Sequence, residues 1–172
     1  MIIQLAIAFG LLAIVYGFVT SRQVLSASAG NEKMQEIAGA IQEGAQAYLG
    51  RQYRTIAMVG VVVAALVFYF LGTTSAVGFL IGAILSGVAG YIGMNISVRA
   101  NVRTAAAAQT GLQAGLTMAF RAGAITGMLV AGLALLAIAV FFYYLVNIQG
   151  LAPDSRVVVD ALVALAFGAS LI

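Results

Sequence analysis

The chain has 172 residues, of which 63% are apolar and 8% are charged, and its mean hydropathy is +1.11. Soluble domains carry roughly 45–50% apolar and about 25% charged residues, so this composition excludes a water-soluble globular fold. The net charge is +3, and the sequence has no His and no Cys, which excludes disulfides, Cys/His zinc sites, thiol or Ser-His nucleophiles and the usual haem ligands. The sequence therefore predicts an integral membrane protein.

Five apolar stretches predict helices that cross a bilayer. At about 1.5 Å per residue, about 20 helical residues match the roughly 30 Å hydrocarbon core. Residues 1–21 are uncharged, and the uncharged run 55–98 is long enough for two spans, with Gly-Thr-Thr-Ser at 72–75 as a turn between them. The run 122–146 closes in an aromatic group suited to a membrane interface. The predicted spans are about 2–20, 53–71, 76–98, 122–146 and 157–172.

The last of these stretches is short for a membrane span. Residues 157–172 would form about 24 Å of helix, and they end on Leu-Ile without a polar stop. We therefore expect the chain to be the N-terminal portion of a longer protein, with four complete spans and the start of a fifth. A cleaved signal peptide is disfavoured, because no basic residue precedes the first apolar run.

The basic residues predict the orientation. Seven of the eight lie in or beside two connections, 22–52 and 99–121, and the opposite side holds only Arg156. By the positive-inside rule these connections are cytoplasmic, so the N-terminus and the turn at 72–75 face outward. The seven are Arg22, Lys33, Arg51, Arg54, Arg99, Arg103 and Arg121.

Both connections have internal patterns. From Asn31, a predicted N-cap, apolar residues recur at three- and four-residue steps, which favours a surface helix docked on the cytoplasmic side. A metal or phosphate role for Glu36 and Glu43 has no third acid to support it. The stretch 100–120 is expected to continue the third helix and to turn near Gly111 or Gly115. We interpret its basic residues as determinants of topology. Binding of lipid headgroups or phosphate is the less favoured interpretation.

Small residues follow a regular spacing in the third and fourth spans. They stand four residues apart and so share one helix face, where they let another backbone approach closely. We interpret them as helix-packing positions in a bundle and not as a cofactor cradle. The predicted packing residues are Gly78, Gly82, Ser86, Gly90, Gly123 and Gly127.

Asp160 is the carboxylate placed in or near a hydrophobic span. Such residues are candidates for ion paths, but Arg156 precedes it by four positions, which favours an ion pair on one helix face. The dinucleotide and Walker fingerprints are absent from the sequence. We therefore predict no catalytic, cofactor-binding or metal-binding residue in this stretch, and no nucleic acid as a partner.

Three separated segments, in order, resemble membrane-bound, ion-translocating pyrophosphatases. Residues 30–49 read GNEKMQEIAGAIQEGAQAYL, and RQYRTI continues the match at 51–56. Further matches are GYIGM at 90–94, NVRT at 101–104 and AFRAGA at 119–124. The resemblance covers essentially the whole chain but only about the first quarter of the family's length.

The resemblance implies a homodimeric pump whose helices form two concentric rings in a bacterial-type inner membrane. Hydrolysis of pyrophosphate with Mg²⁺ at a cytoplasmic site would drive protons, or sodium in some members, outward. The first four spans would then belong to the outer ring and the fifth would open the inner ring. The family's Asp-rich signatures lie beyond Ile172, so the resemblance transfers no catalytic residue onto this chain.

Three hypotheses follow. The first is the membrane scaffold of such a pump, in contact with lipid and with the rest of the pump. The second is a non-enzymatic subunit of a channel or secondary transporter, in which Asp160 or the glycine stripe lines a path. A plain membrane anchor is a third interpretation. The ordered matches favour the pump.

Overall fold

The computed structural model describes residues 1–171, which are almost entirely helical. This confirms the predicted all-α membrane class. Three helical segments are long and apolar enough to cross a membrane: Ile2–Ser26, Glu32–Ala108 and Leu112–Ile148. The elements are α1 (Ile2–Ser26), α2 (Glu32–Ala108), α3 (Leu112–Tyr143), which continues into a π-helical turn (Tyr144–Ile148), and α4 (Arg156–Ala169).

Helix α2 is a hairpin of two antiparallel arms. Its 77 residues would extend about 115 Å if straight, but Gly72 has φ 84° and ψ 179°, which breaks the helix. A residue with a side chain rarely adopts that φ, so glycine permits the reversal. Tyr53 on the first arm donates a hydrogen bond to the carbonyl oxygen of Gly87 on the second arm, at 2.8 Å. The Tyr53 ring also meets the Tyr91 ring edge-on, with centroids 5.8 Å apart.

The structure differs from the expected surface helix in the 22–52 connection. Residues 32–71 form one continuous arm, and at roughly 60 Å this arm is about twice the thickness of the hydrocarbon core. Ala38 and Leu49 of this arm are buried, and Met34 and Ala38 line a cavity with Val102 of the second arm, whereas Ile37, Ile41 and Tyr48 stay exposed. The end of the hairpin is thus a paired helical stalk, in which the first arm is continuous with the helix that begins at Glu32 and part of its apolar face stays exposed.

The helix ends are fixed by local chemistry. Asn31 caps α2 through its side-chain oxygen, which accepts a hydrogen bond from the Met34 amide at 2.9 Å. Gly111, at φ 149°, makes the tight turn from α2 to α3, at one of the two predicted positions. Ser155 caps α4 by accepting from the Val158 amide at 3.4 Å.

Three buried clusters hold the bundle together. The first joins the end of α3 to α4 around Leu145 and Val158. The second joins the end of α1 to α2 and α3 around Val24 and Ile125. The third lies near the hairpin tip around Phe79. Helix α3 packs on both α1 and α2, whereas α4 packs mainly on the second arm of α2.

Candidate functional site

The second arm of α2 receives α4 at backbone contact distance. A Cβ atom built at Gly78 would lie 2.5 Å from the Ala161 carbonyl oxygen. A Cβ at Gly82 would overlap the Leu165 carbonyl oxygen and would lie 2.8 Å from the Ala169 nitrogen. A Cβ atom at Gly168 on α4 would likewise overlap the backbone carbonyl group of Phe79. Because only glycine fits at these positions, dispersion contacts form along both backbones, which is how helices associate in lipid.

A second glycine contact, between α1 and α3, was missed in the sequence. A Cβ at Gly132 would lie 2.9 Å from the Gly10 carbonyl oxygen and 2.9 Å from the Ala13 Cβ atom. One turn further along α1, a Cβ at Gly17 would contact the Leu129 side chain at 3.3 Å. The signal was present, since residues 10, 13 and 17 are small and recur at three- and four-residue steps.

The other predicted packing residues have different surroundings. Gly123 and Gly127 have no atom within 4 Å of an added Cβ atom, apart from their own helix backbone and chain neighbours, so that face of α3 is open. Ser86 lines a cavity of about 280 Å³ between α2, α3 and α4. Gly90 is half-buried on the same face of the second arm. Whether Gly123 and Gly127 contact another helix stays a prediction.

Arg103 ties α2 to the end of α1. Its Nε and Nη2 atoms both donate to the Leu25 carbonyl oxygen, at 3.1 and 2.9 Å, and Nη1 donates to the Arg99 carbonyl oxygen at 2.7 Å. The last carbonyls of a helix lack intrahelical partners and carry the negative end of the helix dipole. The guanidinium therefore caps α1, a role that the sequence did not reveal.

Two of the basic residues, Arg22 and Arg103, lie at one end of the bundle. Arg103 lies beside the C-terminal end of α1, and Arg22 stacks over the Phe18 ring of α1 at 4.6 Å. The hairpin tip at Gly72 and the start of α4 at Arg156 lie at the other end. The charge asymmetry of the sequence is therefore also an asymmetry along the axis of the bundle.

Arg156 and Asp160 face each other across one turn of α4. The Arg156 Nε atom lies 3.5 Å from Asp160 Oδ2, with the Arg156 side chain 93% exposed and the Asp160 side chain 38% exposed. Exposed ion pairs of this kind contribute about 0–1 kcal/mol to the free energy of unfolding, so this contact stabilises the fold only weakly.

Within residues 1–171, the structure brings no three acidic side chains together at a distance that would hold a metal ion. Hydrolysis of a phosphoanhydride calls for several carboxylates around magnesium and cations around the phosphates. The acids described here are spread along the bundle, so they do not fit a magnesium site.

The fold and its contacts define a multi-pass helical membrane protein built on close glycine packing. A profile of the family described as inorganic H⁺ pyrophosphatase matches residues 11–172, and the chain belongs to this family. This confirms the resemblance seen in the three sequence segments.

The relatives of this chain are named as pyrophosphate-energized ion pumps. The K⁺-insensitive pyrophosphate-energized proton pump of Methanosarcina mazei is 48% identical over 165 residues, which cover 95% of this chain and 23% of the relative. A proton pump of the same description from Moorella thermoacetica is 42% identical, over 96% of this chain and 24% of the relative. A putative K⁺-stimulated pyrophosphate-energized sodium pump of Clostridium tetani is 44% identical over 69% of the chain and 18% of the relative. The chain thus spans about a quarter of the length of the first two relatives.

Proposed function

We propose that this chain forms the N-terminal membrane scaffold of a pump that couples pyrophosphate hydrolysis to outward ion transport. The observation that carries the proposal is the match over 95% of the chain to a pyrophosphate-energized proton pump at 48% identity. Protons are the proposed ion because the first two relatives are named as proton pumps. Sodium is the alternative, as in the name of the Clostridium tetani relative.

The proposed topology places five helical segments in a bacterial-type inner membrane with the N-terminus outside. The spans are about 2–20, 53–71, 76–98, 122–146 and 157–172, and the connections 22–52 and 99–121 are cytoplasmic. The positive-inside rule supports this orientation, because seven of the eight Arg and Lys residues lie in or beside these two connections. The stalk of α2 then projects into the cytoplasm.

Catalysis is proposed to reside in the rest of the pump. Pyrophosphate is a compact polyanion, and Mg²⁺ would neutralise part of its charge during hydrolysis. The acidic residues that the structure describes do not form a site for this metal. The part played by residues 1–172 is to hold helices in place, with lipid, the remainder of the pump and a second copy in a homodimer as partners. The channel hypothesis loses its support, because the family match accounts for the same residues.

Inverted membrane vesicles that contain the full-length protein test this function. Addition of magnesium pyrophosphate should acidify the vesicle interior, and a protonophore should abolish the signal. Uptake of labelled sodium without acidification would identify sodium as the transported ion and would still support a pyrophosphate-driven pump. Hydrolysis-independent ion flux, or no pyrophosphate hydrolysis by protein that is correctly inserted, would refute the proposal.

Single cysteines report the insertion, since the 172 residues contain no native Cys. A cysteine at Thr73 should react with an impermeant maleimide from outside intact cells, and one at Thr110 should react only after permeabilisation. The reverse pattern would contradict the proposed orientation.

A further inference from the structure

A groove lies between α1 and α3, and it combines polar and apolar side chains. It encloses a cavity of about 420 Å³. The part of α3 that lines it runs from Gln113 to Arg121, which is roughly 12 Å of helix. The lining residues are one cation, three uncharged polar residues and two apolar ones: Arg121, Tyr16, Gln113, Thr117, Leu116 and Phe120.

The groove opens on the face of α3 that is turned away from α2. Met118, Ala122 and Ile125 belong to the buried cluster that joins α3 to α1 and α2. On the groove side, Leu116 and Phe120 stay 55% and 77% exposed. Helix α4 packs mainly on the second arm of α2, so within residues 1–171 the groove is left open.

The antiparallel contact between α1 and α3 gives the level of the groove along the bundle. Gly17 of α1 lies beside the carbonyl group of Ile125 on α3. On the same register, Arg22 is level with Phe120 and next to the level of Arg121. In the proposed topology this level is the cytoplasmic boundary of the membrane, where the phosphate groups of the lipids lie.

The two helices that form the groove carry positive charge only. Neither α1 nor α3 contains an acidic residue. The ion pairs that the structure describes within residues 1–171 lie elsewhere, between Lys33 and Glu36 and between Arg156 and Asp160. Arg121 therefore has no acidic neighbour on the helices that line the groove. Anionic lipids give the cytoplasmic leaflet its negative potential, and they bind in basic pockets between transmembrane helices on that side.

The remaining lining residues fit an amphiphilic ligand better than a free anion. Leu116 and Phe120 present apolar surface beside the cation, and tyrosine rings such as that of Tyr16 are favoured at the level of lipid headgroups. The Thr117 hydroxyl already donates to the Gln113 carbonyl oxygen at 2.8 Å, so it is left to accept. Inorganic phosphate would gain from the cation but would gain nothing from the exposed apolar side chains.

We propose that the groove between α1 and α3 binds one anionic phospholipid of the cytoplasmic leaflet. The Arg121 guanidinium pairs with the headgroup phosphate, the Tyr16 hydroxyl is a second donor, and Leu116 and Phe120 contact the apolar part of the lipid. Arg22 adds positive charge at the same level. The choice of leaflet depends on the proposed orientation, whereas the lipid site does not depend on pyrophosphate hydrolysis.

Quenching of a single tryptophan by brominated lipids tests this site in the full-length pump. Residues 1–172 contain no Trp, so Phe120→Trp places a reporter in the groove once any tryptophan in the remaining pump has been replaced. The protein is reconstituted with mixtures that contain dibrominated phosphatidylglycerol or dibrominated phosphatidylcholine. The ratio of the two binding constants is the preference for anionic lipid. Phe70→Trp, which is exposed near the hairpin tip at the other end of the bundle, is the reference reporter.

The reporter in the groove should show at least about a fivefold preference for phosphatidylglycerol, and Arg121→Gln should remove it, because one basic residue near an anionic surface contributes about this factor. Arg54→Gln is the matched control, since it removes the same charge from an exposed residue outside the groove on the same side of the membrane, and the preference should change by less than about twofold. Arg121→Lys keeps the charge and should keep the preference, which a purely structural role of the guanidinium would not predict. The reference reporter should be quenched equally by both lipids.

Equal quenching by the two lipids at Phe120→Trp would overturn the inference. So would an equal loss of preference in Arg54→Gln and Arg121→Gln, since the attraction would then come from the surface as a whole. Absence of quenching by either lipid would overturn it as well, because protein from the rest of the pump would cover the groove. Loss of the preference in millimolar inorganic phosphate would assign the groove to a free anion and reject the lipid. A preference for phosphatidylglycerol without pyrophosphate hydrolysis would support the lipid site and refute the proposed function alone.

Discussion

Substitution of Gly82 by alanine tests the glycine contact at its tightest point. The added Cβ atom would meet two backbone atoms of α4, the Leu165 carbonyl oxygen and the Ala169 nitrogen, and neither can rotate away as a side chain can. Helix α4 must therefore withdraw from α2. A gap of about 0.5–1 Å already removes roughly a quarter to a half of each dispersion contact.

The magnitude follows from two opposing effects. Overpacking of a close contact costs about 1–3 kcal/mol, and the backbone overlap at Gly82 places this site near the upper value. Alanine in a helix is favoured over glycine by about 1 kcal/mol. The steric cost is larger, so we expect Gly82→Ala to lower the free energy of unfolding by about 2 kcal/mol, roughly a 30-fold change in the folded ratio.

Thermal unfolding of the purified full-length protein in detergent measures this change. Gly44→Ala is the matched control, because Gly44 is exposed on the same helix and has no atom within 4 Å of an added Cβ atom apart from its own helix backbone and chain neighbours. The control should unfold at the same or a slightly higher temperature. If Gly82→Ala were as stable as the control, the close approach of α4 to α2 would be refuted.

Three further substitutions test single contacts. Arg103→Lys keeps the positive charge but loses the forked contact to the Leu25 carbonyl, so stability should fall by about 1–2 kcal/mol while cysteine labelling shows unchanged topology. Tyr53→Phe removes the hydrogen bond to Gly87 and should cost about 0.6–1 kcal/mol in thermal unfolding; no loss would mean that the bond is not formed. Asp160→Asn should leave pyrophosphate-driven uptake within about twofold, since its ion pair is exposed; loss of uptake with normal insertion would assign Asp160 to an ion path.

The class of fold could be predicted from the sequence because it depends on composition and on short stretches of neighbouring residues. The hydrophobic runs, the turn signal at 72–75 and the cap at Asn31 each depend on residues close together in the chain. It did not predict that the helix beginning at Glu32 runs without a break into the first arm of α2, where a separate surface helix was expected. The pattern from Met34 onward predicts a helix with one apolar face, but it does not indicate where that helix ends or whether the face is covered.

Contacts between distant residues were the other limit. The spacing of Gly78 and Gly82 predicted a packing face, but the residues that they contact, Ala161 and Leu165, lie more than 80 positions further along the chain. Arg103 looked like a topology determinant because its charge is visible in the sequence, whereas the carbonyl of Leu25 that it caps is not. The missed contact between Gly10 and Gly132 has the same origin, since neither glycine alone marks a helix crossing.

Pyrophosphate-driven ion uptake by sealed vesicles tests the central claim most directly. In vesicles that contain the full-length pump with the basic connections on the outside, we expect magnesium pyrophosphate to be hydrolysed and ions to accumulate inside, with both activities absent from vesicles that lack the pump. Ion flux that does not depend on pyrophosphate, or correctly inserted protein that neither hydrolyses it nor transports ions, would contradict the account.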